Sequence, residues 1–191
     1  MAKASSIFRT LSNLSYPLEK VVFGVNNELV EAKFKGMFVT AVFGKFNIET
    51  GEVNFVNAGH ESIMVFDRDK NFEFIKSEMP PIGIIKYFTE SMVKSKTINL
   101  KDKTFVVYTD GVTEGYLKNG QDLGADGVQK IVTDLNDVSP KIIVDSIAAQ
   151  LNWGAEKLRD DITCLALDLK NTELIKPAKK KKQETTEENK N

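Results

Sequence analysis

Two acidic sites lie at the ends of apolar runs, and both have the chemistry to hold a cation. In FVVYTDGVTEG (105–115), the mostly apolar Phe105 to Tyr108 lead into Thr109, Asp110 and Gly111. In RDDITCLAL (159–167), Asp160 and Asp161 stand immediately before another apolar run. Loops at strand ends hold functional groups on rigid scaffolding. A hard divalent cation seeks carboxylate oxygens, backbone carbonyls and water. Asp110 offers a carboxylate, and Gly111 has no side chain to keep a carbonyl or a hydrated ion at a distance. The adjacent charges of Asp160 and Asp161 favour solvation or neutralisation by a cation.

Other chemistries fail on the residues available. Cys164 lies inside the last apolar run, where a small buried thiol is ordinary. CLALDLK has neither the phosphate loop nor the arginine of a cysteine phosphatase. His60 is the single histidine, and no G-x-S-x-G elbow accompanies it. No P-loop occurs. An aspartyl-phosphate enzyme needs a D-x-D pair, and Tyr108 fills the slot of the first acid, so the nucleophile is missing. DRDKNFEFIKSE sets Asp67, Asp69, Asn71, Glu73 and Glu78 at the ligand positions of a calcium loop, but Phe72 stands where the sharp turn needs glycine. A hairpin turn is the better reading of that stretch.

The elements that must position the acids follow from periodicity. Ile7, Phe8, Leu11 and Leu14 repeat at helical spacing, as do Leu18, Val21, Val22, Val25 and Leu29 behind Pro17. MFVTAVFGKFN and NIETGEVNFVNAGH read as strands around a turn at Glu49–Gly51, and SIMVFDR and FEFIK as a second pair. MPPIG excludes a regular element. SMVKSKTINL and TFVVYTD are strands joined by the short turn Lys101–Lys103. Val128, Ile131, Val132 and Leu135 mark a helix, and Ser139-Pro140 starts another whose buried face is Ile143, Ile147 and Leu151. ITCLALDL is apolar at nearly every position and predicts a last strand covered on both faces. Strands and helices segregated in this way imply α+β layers.

Composition sets the frame. With 191 residues, 41% hydrophobic and 28% charged, the chain has the make-up of one soluble domain, residues 1–170. A formal net charge of -1 gives no basis for nucleic-acid binding by the body of the chain. No apolar run is long enough to span a bilayer, and one cysteine excludes an internal disulfide, so a cytoplasmic location is expected for this segment, with a membrane-associated parent protein left open. Residues 171–191, with a lysine run followed by acids, read as a disordered tail.

GMFVTAVFGKFNIETGEVNFVNAGHESIMV, PPIGI, YTDGVTEG and RDDITCLAL, together with VNNEL, occur in the order and spacing of the SpoIIE/RsbU-type metal-dependent PPM (PP2C-like) protein phosphatases. The chain resembles that family from about Met1 to Leu169. The resemblance implies an α-β-β-α sandwich of antiparallel sheets, and hydrolysis of phosphoserine or phosphothreonine with two Mn²⁺ or Mg²⁺ ions and no protein nucleophile. It implies that Asp110, in the T-D-G motif with Thr109 and Gly111, and Asp160, with Asp161 beside it, serve at the metals. Asn57, Gly59 and His60 match a segment near the site, His60 as a hydrogen-bonder that fixes the loop. The substrate implied is a phosphorylated anti-sigma-factor antagonist in a bacterial regulatory pathway, and relatives of this kind often form homodimers. The family also carries an Asp-Gly motif ahead of its first long helix, whereas the first aspartate here is Asp67. The expectation is therefore the C-terminal part of a phosphatase domain, weak in metal binding and slow or inactive alone. A degenerate fold that docks a partner without hydrolysis is the rival reading.

Overall fold

The computed structural model describes residues 2–31, 38–117, 119–151 and 160–169. Its elements in chain order are helices α1 (Ala2–Ser12) and α2 (Leu18–Glu31), then strands β1 (Ala41–Asn47), β2 (Glu52–Ala58), β3 (Ile63–Asp67), β4 (Phe72–Ile75), β5 (Lys96–Asn99) and β6 (Lys103–Tyr108). One helical turn, α3 (Asp110–Thr113), follows, then α4 (Gly124–Asp134), α5 (Pro140–Gln150) and strand β7 (Cys164–Leu167). Two antiparallel sheets result, ordered β1-β2-β5 and β4-β3-β6-β7.

Period-two side-chain alternation builds the layers. On β2, Val56 and Ala58 point into a core shared with α1 and α2, while Val53 and Phe55 point between the sheets. On β3 and β6, Ile63, Val65 and Phe105 meet them there, with Phe55 and Phe105 edge to face at 5.2 Å between centroids. The alternate residues Met64, Phe66, Val106 and Tyr108 pack under α4 and α5, against Val128, Val132, Ile143 and Ile147. Three apolar cores thus separate four layers, and the α-β-β-α sandwich is the architecture observed.

Several local expectations change. Leu14 falls beyond the end of α1 and is exposed. The SMVKSKTINL strand is confined to Lys96–Asn99, behind a 3-10 turn at Glu90–Met92. The Lys101–Lys103 turn exists, with Asp102 at φ 63°, but β5 and β6 enter different sheets and make no hairpin. Leu100, fully buried, crosses between the layers and its N–H donates to Gly51 O at 2.8 Å. Pro140 opens α5, while the Ser139 side chain makes no capping bond. Lys70 (φ 61°), in the β3–β4 turn, donates through Nζ to Thr133 O and Leu135 O at the end of α4, both at 2.6 Å. The boundary at residue 170 and the tail at 171–191 lie outside the described residues.

The largest correction concerns β7. It is an edge strand, and Leu165 is 51% exposed. One face packs toward the α4–α5 core through Cys164 and Ala166. The other faces an apolar cleft of about 360 Å³ between the sheets, lined by Val42, Phe46, Phe55, Val107, Leu165 and Leu167 among others. An apolar run cannot report which face is covered, because burial by the opposite sheet and an uncovered greasy face have the same sequence. Among the described residues, nothing pairs with the outer edges of β1 or β7.

Candidate metal centre

The two acidic loops meet because β6 and β7 are antiparallel neighbours. Tyr108 pairs with Cys164, and the ladder extends one step further, where Thr109 N–H donates to Thr163 O at 3.0 Å. Asp110, the first residue of α3, therefore leaves the end of β6 beside the approach to β7. Thr163 N–H donates to Thr109 Oγ1, and that hydroxyl donates to Asp161 O, each at 3.0 Å. Gly111 is buried against the second loop: a Cβ there would lie 3.0 Å from the Asp161 carbonyl carbon and 3.4 Å from Asp160 O, with Asp161 O closer still. Each acid also receives the next backbone N–H, Gly111 N–H to Asp110 Oδ1 at 2.9 Å and Asp161 N–H to Asp160 Oδ1 at 2.7 Å. All three aspartates are exposed, each with further lone pairs for another partner.

These donors are oxygens, the kind that suits a hard cation such as Mg²⁺ or Mn²⁺. In number they fall short of a cage: among the described residues no three His, Cys, Asp or Glu side chains gather into a metal-holding group.

The segment Asn57–His60 forms a separate turn, with His60 within electrostatic reach of Asp110. Asn57 is 5% exposed; its Oδ1 accepts His60 N–H at 3.0 Å and its Nδ2 donates to Glu61 O at 2.9 Å. Gly59 sits at φ 66°, and a Cβ there would lie 2.5 Å from the Pro81 ring. The loop is tied by Ser77, whose Oγ accepts Gly59 N–H at 2.7 Å and faces Asn57 O at 2.9 Å and Met79 O at 2.6 Å. The His60 ring lines one end of the cleft with Tyr108, Thr109 and Thr163, and its Nδ1 lies 3.4 Å from Thr40 Oγ1. Burial pushes the imidazole below its ordinary pKa, while Glu61, Asp110 and the Tyr108 carbonyl pull the other way. The ring is thus neutral at neutral pH. Burial drives the Tyr108 phenol up to about 12 and the Cys164 thiol up to about 11. Neither supplies an anionic nucleophile at neutral pH.

The family model for Stage II sporulation protein E (SpoIIE) matches residues 1–170. The chain belongs to the SpoIIE family. Protein IcfG of Synechocystis is 25% identical over 138 residues, 69% of this chain but 20% of that protein. The SiaA-PP2C domain of Pseudomonas aeruginosa superposes with a TM-score of 0.67 at 16% identity, covering 87% of this chain and 65% of that one. The structure of the PP2C phosphatase domain and a regulatory-domain fragment of Bacillus subtilis SpoIIE also gives 0.67, at 14% identity, covering 86% and 48%. These likenesses show the shared PP2C fold. The SpoIIE-family chain spans about a fifth of its curated relative and just under two thirds of the SiaA domain.

Within the SpoIIE-family chain, the sequence-derived residues fall into two groups. Thr109, Asp110, Gly111, Asp160 and Asp161 are brought into one backbone-locked cluster. Asn57, Gly59 and His60 form a separate turn, in which the Asn57 side chain fixes the loop and the His60 ring is presented to the cleft. Ser77 escaped sequence reasoning. It is an isolated serine in IKSEM, and the two partners that tie it to the Asn57–His60 turn lie 18 and 20 residues away in the chain. The rejected calcium loop is a hairpin turn: the Asp67 carboxylate accepts Asp69 N–H, Asn71 N–H and Asn71 Nδ2 at 2.9, 3.0 and 2.9 Å. No helix of the described residues is long and apolar enough to cross a membrane.

Proposed function

We propose that this chain is the catalytic region of a serine/threonine protein phosphatase that uses a divalent metal, Mn²⁺ or Mg²⁺. Its substrate is a phosphorylated regulatory protein of the anti-sigma-factor-antagonist class, in the cytoplasm. The observation that carries the reading is the backbone locking of the Asp110 and Asp160 loops through Gly111. Two proteins with this fold lend support: RsbX was solved in complex with magnesium, and a Bacillus subtilis SpoIIE phosphatase domain was presoaked with manganese. Asp110 and Asp160 hold the metal, with Asp161 beside them. A divalent cation bound there supplies a water of lowered pKa and charge stabilisation for phosphoryl transfer. Thr109 and Gly111 flank Asp110 in the chain. His60 offers a neutral ring at the edge of the cleft.

A second reading has its own support. With no three metal-binding side chains gathered among the described residues, the chain alone fits a weak metal binder, or a module that docks a partner without turnover. The test is Mn²⁺-dependent phosphate release from a phosphoserine protein substrate by the wild type and by Asp110→Asn. Turnover that falls at least a hundredfold in the variant, with an unchanged unfolding midpoint, supports the enzyme. Equal turnover in both removes Asp110 from the metal site. Binding of the substrate without turnover in the wild type supports the docking module.

A further inference from the structure

Thr109 occupies the N-cap position of α3, with φ -80° and ψ 161°, and threonine there ordinarily accepts a backbone N–H from the first helical turn. Its side chain makes no such capping bond. The hydroxyl is turned across the sheet end, donating to Asp161 O and accepting from Thr163 N–H, both at 3.0 Å. A hydroxyl has one proton to donate, so Asp161 O takes it and Thr163 O, at 3.5 Å, is the weaker alternative. Nothing about helix α3 requires this. Val112 N–H already bonds Thr109 O at 2.9 Å, and Glu114 N–H bonds Asp110 O at 2.7 Å.

We infer that Thr109 and Gly111 together form a clasp that sets the separation of the Asp110 and Asp160–Asp161 carboxylates, making Thr109 a positioning residue for the divalent cation. The inference rests on the metal reading of the site. Gly111 lets the second loop come into backbone contact, and Thr109 holds it there through one donated and one accepted bond. Hydrogen-bond partners behind metal ligands govern their orientation, and removing one costs roughly 10–100-fold in metal affinity. Without the clasp, the 160–161 loop keeps a single ladder bond, Thr109 N–H to Thr163 O, as its tie to residue 109.

The test uses the 191-residue chain with Thr109→Val and Thr109→Ser, read two ways. Mn²⁺ titration, followed by the signal of the free ion, gives affinity. Amide hydrogen exchange at Thr163 reports the clasp with no metal present. Thr109→Val is expected to weaken Mn²⁺ binding about tenfold and to speed exchange at Thr163, while Thr109→Ser stays near wild type in both. Faster exchange at Thr163 with unchanged Mn²⁺ affinity overturns the inference and leaves the metal reading standing. Unchanged exchange in Thr109→Val overturns the clasp itself. A protected Thr163 in a wild-type chain that takes up no Mn²⁺ defeats the metal reading and, with it, the positioning role.

Discussion

Replacing Ser77 with alanine tests how the loop beside the site is held. The hydroxyl accepts Gly59 N–H at 2.7 Å and donates its single proton to either Met79 O at 2.6 Å or Asn57 O at 2.9 Å. Losing the donated bond costs about 1 kcal/mol, and orphaning the Gly59 N–H costs about 1–3 kcal/mol. Ser77 is half-buried, so water recovers part of this, and a net loss of about 2 kcal/mol follows. For a chain of this size that lowers the thermal midpoint by about 4–8 °C. Gly59 cannot relax freely, because its positive φ and the Pro81 ring hold it from the other side. Urea or thermal unfolding of Ser77→Ala measures the stability, and hydrogen exchange at the Gly59 amide locates the damage. A loss under about 0.5 kcal/mol, or an equally protected Gly59 amide, would refute the argument that one hydroxyl organises this turn.

Two further outcomes follow from the same structure. His60 has a folded pKa below its unfolded value, so its neutral form contributes stability that is complete above about pH 6.5 and lost as pH falls through the folded pKa; His60→Gln should flatten that part of the stability profile, and identical profiles would reject the burial argument. Leu165 is half exposed beside the edge of β7 that is unpaired among the described residues, so self-association is the expected outcome, and Leu165→Lys should raise its dissociation constant about tenfold or more, since burying a leucine contributes roughly 1.5–3 kcal/mol. Sedimentation velocity across a concentration series decides it, and a wild-type chain that stays monomeric throughout defeats the expectation.

What was legible in the sequence was what local physics controls. The strand-like make-up of β2 and β6 and the helical periods of α2, α4 and α5 follow from the apolar faces each element buries. Asp110 stood out because a strand ending in a lone acid is a local pattern. The misses share one cause, which is that distant partners decided them. Turn chemistry at Lys101–Lys103 was read correctly, yet it cannot say which sheet each flanking strand joins. The apolar face of β7 looked like a covered one because nothing in TCLAL records that Leu165 borders an open cleft. Thr109 and Ser77 gained their roles from carbonyls and amides far along the chain, where single-residue patterns carry no trace.

The short ladder between β6 and β7 makes alignment a functional variable. Four residue pairs, Phe105 with Leu167 through Tyr108 with Cys164, hold the last strand in place. A slip by one residue would carry Asp160 about 3.3 Å along the strand direction and turn Cys164 and Ala166 outward in exchange for Leu165 and Leu167. A molecule that zips onto the side of this strand left open among the described residues would therefore act on the proposed ion site from a distance, by locking or shifting its frame.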